Sequence, residues 1–164
     1  MNEIYLKIGK PTFIIGIVLA VLLLLVSVNS TFYYLGVLKV KFVEWAFFNA
    51  CVPSNIGYLV GFIIFIITKE KSALGIGILP MVFFGTMGLF IFPWGGVANI
   101  PQVGHVVMTL NVIWVIYTIL KTGDYKALGL GLLVSIVLYV PFIAYQQHYC
   151  RTHTDDLQRI LGIK

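Results

Sequence analysis

The chain has 164 residues, of which 60% are apolar, 15% aromatic and only 10% charged, with a formal net charge of +5. A soluble domain carries about 25% charged residues and cannot hide this much apolar surface, whereas lipid can cover it. The positive charge is spread over short gaps and forms no stripe, so it suits anionic lipid headgroups and argues against nucleic acid as a partner.

A bilayer core needs about 20 consecutive apolar residues as helix. Five runs meet that need, at residues 12–35, 45–68, 73–93, 103–120 and 127–145. They predict an all-α polytopic integral membrane bundle of five transmembrane helices. The whole chain, residues 1–164, then forms one membrane domain with an interfacial C-terminal tail at residues 146–164.

Lys7 and Lys10 precede the first run, and Val28-Asn29-Ser30 resembles a cleavage site; the pattern reads as a signal anchor that is kept. The alternation Leu38-Lys39-Val40-Lys41-Phe42 has the period of a strand but is short for one. In the second run Pro53-Ser54-Asn55 interrupts the pattern. Either Trp45 to Val52 forms an interfacial half-helix, or the span is broken there. Non-helical backbone at that depth survives only against protein or water, which predicts a wet cavity under one surface. Gly57 and Gly61 form a GxxxG pair, and Gly85 with Gly88 smooths the third run; both read as packing seams within the chain. Pro80 and Pro141 lie inside their runs and predict kinks.

Two stretches are alike, Lys71-Ser72-Ala73-Leu74-Gly75-Ile76-Gly77-Ile78-Leu79 and Lys126-Ala127-Leu128-Gly129-Leu130-Gly131-Leu132-Leu133. One reading makes runs two and three a duplicate of runs four and five, giving two parallel hairpins behind an N-terminal helix. The other reading takes the glycines as ordinary helix-packing vocabulary.

Lysines and arginines set orientation. One face collects Lys7, Lys10, Lys69, Lys71, Lys121 and Lys126; the other collects Lys39, Lys41, Arg151, Arg159 and Lys164, with none between Trp94 and Gln102. That empty loop points to a cytoplasmic N-terminus and a C-terminus outside. Glu44, Cys51, His105, His148, Cys150, His153, Asp155 and Asp156 then all fall toward the outer face.

The tail His148-x-Cys150-x-x-His153-x-Asp155-Asp156 holds zinc or copper ligand types, although its spacing matches no established signature. A metal ion is the one cofactor the sequence suggests; any other is unknown. Against that reading, Thr152 or Thr154 can cap a short helix with Asp155 and Asp156 in its first turn and Arg159 and Lys164 at its end. Its apolar side, Leu157, Ile160 and Leu161, would rest on the membrane. Cys51 and Cys150 either form a disulfide or stay apart as a small buried hydrophobe and an interfacial thiol. His105, Thr109 and Asn111 make a polar stripe, and Asn111, near mid-membrane, must find partners, with Asn55 or Ser135 the natural ones. No Asp, Glu, Lys or Arg sits mid-span, which argues against a proton pump or voltage sensor.

The leading functional expectation is a binding or transport protein that holds a lipid-like or small organic ligand in an outward-facing cavity. Trp45, Tyr58, Trp94, Trp114 and Tyr139 would wall it, with polar contacts from Asn49, Asn55, His105 and Asn111. An alternative is a membrane-embedded enzyme acting on lipid headgroups, with His105 as base beside Glu44 or a metal on His148, Cys150, His153 and Asp155. A third is an accessory subunit of a larger complex, or a homo-oligomer. The expected partners are membrane lipid and a small hydrophobic ligand.

Overall fold

The computed structural model describes residues 8–92, 94, 95 and 99–161. Glu3, Lys7, Pro93, Gly96 and Lys164, and the side chain of Leu161, lie outside the described residues. The protein is all-helical, and five of its helices are long and apolar enough to cross a membrane. The spans are Lys10–Val37, Cys51–Thr68, Ser72–Ile91, Pro101–Thr122 and Tyr125–Thr152.

In chain order, α1 (Lys10–Thr31) continues into a wide π-helical turn at Phe32–Val37. The short α2 (Phe42–Phe48) precedes α3 (Cys51–Thr68). The third span, α4 (Ser72–Ile91), is interrupted. It tightens near Ile76, whose N–H bonds Ala73 O at 3.4 Å. It then widens into a π-helical stretch at Met81–Thr86, directly after Pro80. α5 (Asn99–Thr122) and α6 (Tyr125–Thr152) follow, and α7 (Thr154–Leu161) closes the chain.

Several boundaries differ from the sequence reading for local reasons. The second span starts at Cys51, not Trp45, because the chain turns at Asn49 and Ala50 and Phe42–Phe48 is a separate short helix. Pro53 therefore falls in the first turn of α3, where a missing N–H costs little. Leu38 to Lys41 is a connector without strand structure. α6 runs past residue 145 to Thr152, since Gln146 to Arg151 still favour helix. Pro141 sits within that continuous helix, whereas Pro80 leads into a register change.

Helices α1, α3, α4 and α5 form a closed ring, each packed on two others of the four, and α6 lies outside against α4. The ring interior holds Leu23, Tyr58, Phe62, Phe65, Leu74, Met81, Met108, Trp114 and Val115. In α6 the buried residues are Gly131 and Ser135. The similar Ala-Leu-Gly stretches meet directly: a Cβ on Gly75 would lie 2.8 Å from the Gly131 Cα. The Gly57 and Gly61 seam is intramolecular, with Gly61 against the Ala73 backbone and Gly57 under the Tyr139 hydroxyl.

Two faces result. The basal face carries Lys10, Lys69 to Lys71 and Lys121 to Lys126; Lys71 Nζ reaches Asp124 Oδ2 at 2.8 Å and links the two basal loops. Asp124 also caps α6 by accepting the Ala127 N–H at 3.2 Å. The distal face carries Leu38 to Ala50, Trp94 and His148 to Leu161.

Asn111 does not meet Asn55 or Ser135. Its Nδ2 donates to Val107 O at 2.9 Å and to Leu19 O at 3.2 Å, tying α5 to α1, while its Oδ1 is buried without a hydrogen-bond partner among the described residues. Asn55 Nδ2 instead donates to Ser27 Oγ at 3.0 Å. Interhelical hydrogen bonds in membranes average about 0.6 kcal/mol. Asn111→Leu, which also removes the unpartnered oxygen, should therefore change stability by no more than about 1 kcal/mol. Thermal unfolding in detergent reads this; a larger loss would mean that Asn111 holds more than a helix pair.

Candidate functional site

The distal face gathers the chain's three histidines and both cysteines, and the structure sorts them into separate environments. Cys51 opens α3, and His105 lies on α5 beside α4. His105 Nδ1 is 3.0 Å from Gln102 Oε1, and Gln102 Nε2 donates to Phe92 O at 2.7 Å. On the other side of the ring, His105 Nε2 is 3.6 Å from Cys51 Sγ. The Cys51 thiol also lies 3.8 Å from Phe84 O, in the widened part of α4.

Sequence spacing explains much of this geometry. Gln102 and His105 are neighbours on one helix face at i and i+3. Gly88 leaves room for the imidazole, since a Cβ there would stand 2.8 Å from His105 Cε1. Phe92 covers the ring, with centroids 5.6 Å apart and planes at 17°. Thr109 Oγ1 donates to His105 O at 2.8 Å and lies 3.2 Å from Thr86 Oγ1.

A second arrangement lies at the distal rim. A cavity of about 430 Å³ is lined by Leu38, Lys39, Val40, Lys41, Glu44, Arg159 and Ile160. Glu44 is 6% exposed; its Oε2 accepts the Lys41 N–H at 2.8 Å and its Oε1 is 3.8 Å from Arg159 Nη2. Arg159 also pairs with Asp156 at 3.0 Å. Lys39 and Lys41 pair with no carboxylate among the described residues. Lys39 adopts a left-handed backbone, φ 52, at the turn that leads into the rim.

The residues expected to wall a pocket are dispersed. Asn49 donates to Ser30 Oγ at 2.8 Å, and Trp114 Nε1 donates to Thr12 O at 2.7 Å in the basal half. Trp94 is exposed and donates to Leu89 O at 3.2 Å. Trp45 and Tyr58 are buried, and neither lines the rim cavity. His105 and Glu44 keep separate partners, the first Cys51 and Gln102, the second Lys41 and Arg159.

The tail residues are likewise spread along α6 and α7. Among the described residues no group of three or more His, Cys, Asp and Glu could hold a metal ion. Cys150 faces Phe47 O at 3.6 Å and accepts from Gln146 Nε2 at 3.2 Å, and His153 stacks on Tyr149 with centroids 4.0 Å apart. Both cysteines are free thiols. Asp155 and Asp156 occupy the first turn of α7 and Arg159 its last, the charge order that suits a helix dipole.

Gln102 drew no attention in the sequence, because a lone glutamine near a span end is ordinary. Its signal is the spacing to His105. Arg159 enters the sequence reading as an orientation charge and a helix-end charge; its reach to Glu44 depends on how α7 folds back, which spacing alone does not reveal. No known protein family, curated protein or solved structure matches this chain.

Proposed function

We propose that this five-helix membrane protein binds the anionic headgroup of a membrane lipid in the distal rim cavity. The observation that carries the reading is the ring of Lys39, Lys41 and Arg159 about a cavity of about 430 Å³ that also has the apolar Leu38, Val40 and Ile160. Arg159 is engaged by Glu44 and Asp156, which leaves the two lysines to meet a phosphate. A lipid presents this pairing of an anionic head and an apolar body. The amphipathic α7 at the same rim fits a position along the membrane boundary. In this reading the basal lysines lie on the cytoplasmic side and the cavity opens outside.

Each Lys near a membrane surface is worth about 1 kcal/mol toward anionic lipid. The double variant Lys39→Ala, Lys41→Ala should thus lose about 2 kcal/mol, roughly 30-fold in preference. The protein is reconstituted in nanodiscs of phosphatidylcholine with or without phosphatidylglycerol, and the lipid it retains after extraction is weighed by mass spectrometry. Enrichment of phosphatidylglycerol in wild type and its loss in the variant are expected. Equal retention in both proteins would overturn the reading.

A further inference from the structure

Gln102, His105 and Cys51 form a directed chain of hydrogen bonds. Gln102 Nε2 donates to the Phe92 carbonyl, so the amide oxygen is the atom that faces His105 Nδ1. An amide oxygen only accepts, so Nδ1 carries the proton and Nε2 of the neutral ring is an acceptor. The Cys51 thiol has two acceptors in reach of its proton, the Phe84 carbonyl at 3.8 Å and Nε2 at 3.6 Å, and the nearer of the two is a base placed to receive it.

Gln102 is fully buried, His105 is 6% exposed, and Cys51 packs partly buried against the core. An oriented imidazole beside a cysteine is the arrangement of nucleophilic catalysis, with a third group fixing the base. The other cysteine, Cys150, is hydrogen-bonded to Gln146 and Phe47. With no second thiol at Cys51, acyl chemistry suits the site better than disulfide exchange.

We infer that Cys51 is a nucleophile activated by His105, that Gln102 positions the imidazole, and that the substrate is a fatty acyl ester or thioester delivered from the bilayer. His105 Nε2 takes the thiol proton as Cys51 Sγ bonds to the acyl carbon. The carbon–oxygen or carbon–sulfur bond of the donor breaks, and the leaving alcohol or thiol takes the proton back from Nε2. The acyl group, now a thioester on Cys51, passes to water or to an alcohol acceptor. The Phe92 ring stacked on His105 gives the site an apolar side that suits a fatty chain. This inference does not depend on the headgroup reading, which concerns the separate rim cavity.

The test is acylation of the full chain in detergent with p-nitrophenyl decanoate, located by mass spectrometry. Wild type should carry a decanoyl group on Cys51 in preference to Cys150, removable by neutral hydroxylamine. General-base assistance is worth at least about 100-fold, so His105→Gln should slow acylation of Cys51 by about that factor. Gln102→Met should slow it as well, and Gln102→Glu, which keeps an acceptor at Nδ1, should restore most of the rate. Thermal unfolding checks that each variant is folded. If His105→Gln does not fold, the preference for Cys51 over Cys150 in wild type and the Gln102 pair still decide. Equal labelling of the two cysteines, labelling of neither, or Cys51 labelling indifferent to His105 and Gln102 would each overturn the inference.

Discussion

Gly131→Leu should be among the most damaging single substitutions in this protein. A Cβ at that position would stand 2.7 Å from the Gly75 Cα and 2.5 Å from the Ser72 carbonyl oxygen. Both obstacles are backbone, so no side-chain rotation relieves the clash, and α6 must move away from α4. Overpacking of a close-packed interior costs about 1–3 kcal/mol and sometimes more. Here a rigid helix pair resists, so the upper end, about 3 kcal/mol, is expected. For a chain of this size that lowers the melting temperature by roughly 6–12 °C. Gly129→Ala is the control within the same helix, because nothing lies within 4 Å of its Cβ position. Removing a helix glycine there should be neutral or stabilising by up to about 1 kcal/mol. Thermal unfolding of the two variants side by side checks the pair; equal effects would mean that α6 does not pack through Gly131.

Trp114→Ala is the second large effect. The indole is 4% exposed, lies 5.7 Å from the Phe62 ring, and donates its Nε1–H to the Thr12 carbonyl at 2.7 Å. It lies over Gly16, whose missing side chain is what lets α1 approach α5. Truncating a buried tryptophan costs about 3–5 kcal/mol, from lost contacts and the cavity left behind. Trp114→Phe keeps most of the volume and removes the donor, so its cost separates the hydrogen bond, about 1 kcal/mol, from the packing. If alanine and phenylalanine proved equally mild, the α1–α5 contact would have to rest on other residues.

The number and type of spans were legible because lipid demands long apolar helices whatever the tertiary structure. Their partners were less so. The even apolarity of α1 and α6 on every side gives no hint of which face meets protein and which meets lipid. Glycines were the better guide: Gly57, Gly61, Gly85 and Gly88 all mark close approaches, as their spacing suggested. Asn111 was rightly expected to find partners, yet it found backbone carbonyls, which leave no trace in a sequence. The gathering of histidines and cysteines at one membrane face followed from counting spans. That His105 turns to Cys51 while Glu44 turns to Arg159 did not, because it depends on helix rotation and on α7 folding back to the rim.

The number of crossings also has a consequence for sidedness. If all five helices long and apolar enough to cross do so, their odd number puts the Lys10 end of α1 and the Arg159 end of α7 in different compartments. The parity couples every connecting segment to every other: once a single position is known to meet one compartment, the address of each loop follows. A membrane-impermeant label on one basal lysine would thus orient the whole chain at once.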